Sequence, residues 1–298
     1  MPPIHHTSMA MSLSSSATSL VLIVASLLYV RGWRRMQRAS ANAIPGWRLA
    51  SFLFGMSLVW AALGSPLVAY DHDLLTVHMI QHLLLMTFAP ALILLGEPLL
   101  AFWHGLPRFG KIVLGPLFRQ PLVQRFGRAL SRPTLCWIVS ALTLVGWHLP
   151  ALFTLGMHSE VWHRVEQASF LGAGFLFWLP VVQPWPSAPT GPQWSTLLYL
   201  FLATLPCDIL SGFLVFSDRV AYPVYFSMPR HFGFSVLEDQ QCAAALMWAC
   251  VTLVYLVPAA ILSTQLLSPR SVRSGDLVQS ELHGETASQR DSQHLEAV

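Results

Sequence analysis

Seven predominantly apolar stretches recur along this chain, each about 18 to 26 residues long, the length that crosses a bilayer. At a helical rise of about 1.5 Å per residue, each covers the roughly 30 Å of hydrocarbon between the headgroups. Lipid offers no partner to a backbone N–H or C=O, so an open chain of this kind crosses as helices. The stretches run approximately over residues 13–30, 48–70, 74–95, 134–155, 162–182, 194–217 and 239–264. Composition agrees: 54% of the 298 residues are hydrophobic and 10% are charged, against about 25% charged in soluble domains. The expected fold is an all-α membrane protein, a bundle of about seven transmembrane helices. Pro150 weakens the end of the fourth span, and Gly64-Ser65-Pro66 bends the second or ends it early.

Basic residues set the expected orientation. Fourteen of the seventeen lysines and arginines fall in the first connection, the third-to-fourth connection and the C-terminal tail. Only Arg164, Arg219 and Arg230 fall on the other side. By the positive-inside rule the N-terminus is outside and the C-terminus cytoplasmic, and an odd number of spans agrees with termini on opposite sides. The competing reading of residues 1–30, a cleavable signal peptide, lacks a basic residue before Arg31. The chain then divides into an external segment (residues 1–12), a transmembrane domain (13–267) and a polar tail (268–298), expected to be disordered and cytoplasmic. Lys111 to Leu130 reads as a basic amphipathic stretch lying on the inner leaflet, and the proline-rich loop from Gln183 to Gln193 as irregular but stiff.

Several function classes drop out. A net charge of +3 with scattered positives does not describe a nucleic-acid binder, and four cysteines with no paired spacing do not make a disulfide or zinc-ribbon scaffold. The zinc-protease helix motif needs Glu after its first histidine, where this chain has Met79. Neither a nucleophile elbow nor a phosphate-binding loop is present.

The histidines are the chemistry that remains. Nine of twelve belong to the outer half or outer loops of this topology: His5, His6, His72, His78, His82, His148, His158, His163 and His231. His78 and His82 are one turn apart on one face of the third span, and Glu166 follows His163 by one turn in the fifth. His148 in the fourth span and Asp208 in the sixth lie at similar depth. Such a set suits a metal ion, and it equally suits helix-to-helix hydrogen bonds. Met79, Met157, Met228 and the run His5-His6-Thr7-Ser8-Met9-Ala10-Met11 add thioethers, which with imidazole favour copper. Cys207, between Pro206 and Asp208, is the one cysteine with a candidate ligand role; the others read as small apolar residues.

Taken in order, several segments resemble a known family. They are His78-Met79-Ile80-Gln81-His82, Ala89-Pro90, Leu95-Gly96-Glu97-Pro98, Gly146-Trp147-His148-Leu149-Pro150 and His163 with Glu166. Phe177-Trp178, Tyr222-Pro223-Val224-Tyr225 and Asp239-Gln240-Gln241 ahead of Met247-Trp248 complete the set. From about Gly55 to Thr264 the chain resembles the polytopic CtaG-type cytochrome c oxidase assembly factors of bacterial plasma membranes. It does not resemble the single-span copper chaperone that shares the name. The resemblance implies a multi-pass assembly factor, not an enzyme, that helps an apo cytochrome c oxidase subunit become active. Copper handled on the outer face is the implied chemistry. His78, His82, His148 and His163 are the expected metal ligands, with Glu166, Asp208, Asp239 and Gln240 supporting them or lining the entrance. Asp239 and Gln240, at the outer start of the seventh span, are expected either to cap it or to line the entrance. One departure stands out: Gln167 occupies a position where family members often carry His. Two other classes stay open, a haem-binding electron carrier using paired histidines and a copper permease.

Overall fold

A computed structural model describes residues 4–39, 44–183, 193–229 and 233–267. The tail 268–298, His231, residues 184–192 of the proline-rich loop and the side chains of His5, His6, Met9 and Met11 lie outside the described residues. In chain order the helices are α1 (Ile4–Ala39), α2 (Gly46–Leu63), α3 (Leu75–Leu83), α4 (Ala89–Leu95), α5 (Pro98–Gly105) and α6 (Arg108–Arg119). They continue as α7 (Pro121–Leu130), α8 (Pro133–Trp147), α9 (Pro150–His158), α10 (Glu160–Val182), α11 (Gln193–Phe216) and α12 (Val236–Leu266). Six continuous segments are long and apolar enough to cross a membrane, and α8 with α9 makes a seventh candidate. This is a multi-pass helical membrane protein. Side chains such as Leu27, Phe54, Phe213, Leu253 and Ile261 stay exposed around the bundle, as lipid-facing residues do.

The fourth span departs from expectation. A single helix over 134–155 was expected, but α8 stops at Trp147 and α9 leaves at 73°. Pro150 is the cause: it pushes Leu149 into extended backbone (φ −67°, ψ 129°) and then opens α9, where its missing N–H costs nothing. The second span behaves as expected, since α2 ends at Leu63 and a 3₁₀ turn (Pro66–Tyr70) follows Gly64-Ser65. The basic stretch after the third span forms α6 and α7. In α6 no residue is buried, with Phe109, Ile112 and Val113 exposed beside its charges, as on a membrane surface.

The third span is the hub: 67% of its most apolar window is buried, against 11–39% for the other five continuous spans. Its middle is a π-helical turn, Leu84–Phe88, in which the Ala89 N–H reaches back to the Leu84 carbonyl. Pro90 explains it, because a proline has no N–H for the carbonyl four residues earlier and its ring crowds that carbonyl. That carbonyl belongs to Met86, and Gly174 of α10 lies against it. A Cβ on Gly174 would come 2.5 Å from the Met86 oxygen and 2.8 Å from its Cα. Gly174→Ala is therefore expected to destabilise the detergent-solubilised protein by about 2 kcal/mol through overpacking. Gly172→Ala, on the same helix but meeting nothing within 4 Å, is the matched control. Equal melting temperatures for the two variants would refute the close approach.

Candidate metal centre

Among the described residues, two groups of three ligand-type side chains have ligand atoms within 4.8 Å of one another: His78, His82 and Glu166, and Asp71, His72 and His163. The first is wholly buried. Its histidines project from successive turns of α3 with ring centroids 4.3 Å apart, and Glu166 comes across from α10. Glu166 Oε1 lies 3.6 Å from His78 Nε2 and 3.5 Å from His82 Nε2, while Oε2 lies 3.4 Å from His163 Nδ1. These separations exceed a good hydrogen bond. Both ring nitrogens of His78 and of His82, with Glu166 Oε1, are buried and find no hydrogen-bond partner among the described residues. Gly156 of α9 makes room for the carboxylate, since a Cβ there would stand 2.8 Å from Glu166 Oε2.

The walls are aromatic. Phe170 stacks on His82 at 4.0 Å and Phe153 meets His78 edge-on at 5.2 Å. His148, the residue ending α8, sits one shell away. Its Nδ1 hydrogen-bonds the Leu144 carbonyl at 2.7 Å, which leaves Nε2 buried without a partner, and its ring lies 6.4 Å from His82. His82 and His148 also line an internal cavity with Met79, Met86, Cys207 and Met247.

Asp71 and His72, on the link from the second span to the third, build the other group. Asp71 Oδ2 accepts from Gln81 Nε2 at 3.3 Å and lies 3.1 Å from His163 Nε2; Oδ1 stays without a partner, 3.7 Å from His72 Nε2. Burial pushes the Asp71 carboxyl up, but the His163 hydrogen bond and the charges of His72, His163 and His78 outweigh it and hold it below the ordinary carboxylate range. Burial pulls His72 below the ordinary imidazole value against the charge of Asp71. Gln167 touches His163 directly, with its amide nitrogen 2.8 Å from Nε2. One ring nitrogen carries one proton, so His163 Nε2 either donates to Asp71 or accepts from Gln167.

A model of the cytochrome c oxidase caa3 assembly factor family matches residues 27–268. The chain belongs to that family. Uncharacterized proteins of Mycobacterium bovis and Mycobacterium tuberculosis are each 25% identical to it over 249 residues, which cover 82% of this chain and 37% of theirs. One from Mycobacterium leprae is 25% identical over 256 residues, 84% of this chain and 38% of its own. The chain thus spans under two-fifths of the length of the curated relatives it matches. No solved structure matches it.

In this member of the family the expected residues fall into three sets. His78, His82, His163 and Glu166 converge, with His148 beside them. Asp208 does not join: it is half-buried in α11, and its neighbour Cys207 turns to the cavity instead. Asp239 and Gln240 are structural. The seventh span is capped by Ser235 and Glu238 in a capping box, not by Asp239. Asp239 instead accepts the Leu75 N–H (2.7 Å), the Thr76 N–H (3.1 Å) and the Thr76 hydroxyl (2.6 Å), capping α3, whose own N-cap Leu74 has no capping side chain. Gln240 accepts the Ala221 N–H and donates to the Leu214 and Arg219 carbonyls, so it braces the link between the last two spans. That link brings Tyr222 to the His148 carbonyl (3.0 Å) and Tyr225 to the Asp71 carbonyl (3.5 Å). Burial pushes both phenols up, so both remain donors. Sequence reasoning missed Asp71 and Gln81.

Proposed function

We propose that this assembly factor handles copper for cytochrome c oxidase, holding the ion among His78, His82 and Glu166 and releasing it to an apo-oxidase subunit on the outer face of the plasma membrane. One observation carries the reading: two imidazoles and a carboxylate converge in a buried site while their facing nitrogens and oxygen lack hydrogen-bond partners. Buried polar atoms are rarely left so, because each forfeits its hydration. The spacing fits an ion. Ligand atoms about 2.0–2.1 Å from a tetrahedral metal stand about 3.3 Å from one another; here Glu166 Oε1 stands 3.6 and 3.5 Å from the two imidazole nitrogens, and all three atoms lie within 4.8 Å.

The donor set favours copper. His148 is the nearest further imidazole, and the thioethers of Met79, Met86 and Met247 line the adjoining cavity, a combination that suits Cu(I). The excess of basic residues on the opposite connections supports an outer location. The role is binding and transfer, not catalysis. The haem alternative suits the site poorly, since Glu166 Oε1 stands 3.6 and 3.5 Å in front of the two Nε2 atoms, where the iron and its macrocycle would have to lie. A permease would use ligands at the other end as well, and there the thiol of Cys136 already donates to the Leu130 carbonyl.

Metal and haem content of the detergent-purified protein, by elemental analysis and visible absorption, tests this reading. The wild type is expected to retain near-stoichiometric copper after dialysis, and His78→Ala/His82→Ala to lose it. Protein that stays copper-free after copper loading would overturn the reading, as would a strain carrying His82→Ala that assembles fully active oxidase under limiting copper.

A further inference from the structure

Five imidazoles form a file from the surface inward. His72, whose side chain is 42% exposed, lies 5.0 Å from His163 between ring centroids. His163 lies 5.6 Å from His78, His78 lies 4.3 Å from His82, and His82 lies 6.4 Å from His148. A carboxylate stands beside each of the first two steps: Asp71 between His72 and His163, and Glu166 between His163 and His78. His163 faces both, with Nε2 toward Asp71 and Nδ1 toward Glu166.

We infer that Asp71, His72 and His163 form a second cation site at the mouth of this file, through which the buried His78/His82/Glu166 site is loaded. The geometry of Asp71 is the argument. Oδ2 accepts from Gln81 and faces His163 Nε2, which would ligate in its unprotonated form, whereas Oδ1 is buried and has no hydrogen-bond partner among the described residues. The 3.7 Å from Oδ1 to His72 Nε2 is too long for a hydrogen bond and suits two ligands of one ion. A half-exposed imidazole is a ligand that incoming metal can reach; a ring that is 1% exposed, like that of His78, is not. The donor set, a carboxylate and two imidazoles, suits Cu(II) arriving from water, and the two imidazoles and carboxylate of the buried site take the ion on in the same oxidation state. Loss of the exposed His72 costs the mouth site a ligand without touching the buried group.

This inference rests on the copper reading above, and the test separates the two. Cu(II) is titrated into the purified protein, with bound copper read by elemental analysis, its nitrogen coordination by electron paramagnetic resonance, and the rate at which the slowly exchanging fraction fills by chelator challenge. The wild type is expected to bind two equivalents, one removed by dialysis and one retained. His78→Ala/His82→Ala should keep the dialysable equivalent and lose the retained one. His72→Ala should keep the retained equivalent, lose the dialysable one and fill about tenfold more slowly. Asp71→Asn, which preserves shape and one acceptor oxygen, should also lose the dialysable equivalent. A wild type holding a single, retained equivalent, or a His72→Ala protein that fills at the wild-type rate, overturns the mouth site and leaves the copper reading standing. A dialysable equivalent in the wild type with none retained sinks the copper reading instead.

Discussion

Replacing Glu166 by glutamine is expected to weaken copper binding by on the order of 100-fold while leaving the protein folded. Glutamine matches glutamate in shape, so the space that Gly156 opens remains filled and neighbouring packing is undisturbed. What changes is charge. Glu166 is the only acidic member of the buried group, and it faces His78 and His82 from the side opposite their helix. In a low-dielectric site an ion without that carboxylate keeps its charge uncompensated, and an amide N–H₂ can turn its positive edge toward the ring nitrogens. Copper-dependent thermal stabilisation reads the effect. Copper at 100 times the wild-type dissociation constant stabilises by about 2.7 kcal/mol, and the same concentration stabilises a 100-fold weaker variant by only about 0.4 kcal/mol. A variant with the full wild-type shift would remove Glu166 from the ligand set.

All three members of that buried group were legible in sequence because their spacings are local. His78 and His82 are four apart and His163 and Glu166 three apart, and helical periodicity converts each spacing into a shared face. Whether the two faces meet depends on how helices pack, which is not a local property. Asp71 shows the limit. Its partner His163 is 92 residues away, and in sequence it reads as one polar residue in the run Tyr70-Asp71-His72-Asp73. Gln81 stood inside the quoted motif, but nothing in the motif says that its amide reaches Asp71 and the Ala62 carbonyl.

Depth misled where rotation was decisive. Asp208 lies at the right height in α11 for the histidines, yet a neighbouring residue on a helix points about 100° away, and Cys207 takes the inward position. For the seventh span a sequence signal existed and was missed: Ser235-Val236-Leu237-Glu238 is a capping box, which leaves Asp239 free to serve another helix. Pro150 was recognised as a weak point. The full 73° break followed because His148 and Leu149 leave the helix together, with the His148 carbonyl taken up by Tyr222 from a link some seventy residues away.

Asp239→Ala is expected to cost about 3 kcal/mol of stability, the larger share of it from donors left without an acceptor. The carboxylate holds two backbone N–H groups and a hydroxyl at the start of α3, an end that already carries the positive pole of the helix. Removing it strands the Leu75 N–H, which is buried and has no water to turn to. Asp239→Asn retains an acceptor and loses the charge, so its cost should be about 1 kcal/mol. Glu238→Ala, one residue earlier and exposed, should cost much less than Asp239→Ala. Melting temperatures in detergent should therefore fall most for Asp239→Ala. The proposed copper site depends on the same bonds: the His78 N–H continues this first turn by donating to the Leu74 carbonyl, so an unpinned α3 loses the position of its first histidine. Copper affinity should drop with stability in Asp239→Ala. A variant that melts early but binds copper as tightly as wild type would mean that α10 and α12, packed along the rest of the third span, hold the histidines without the cap.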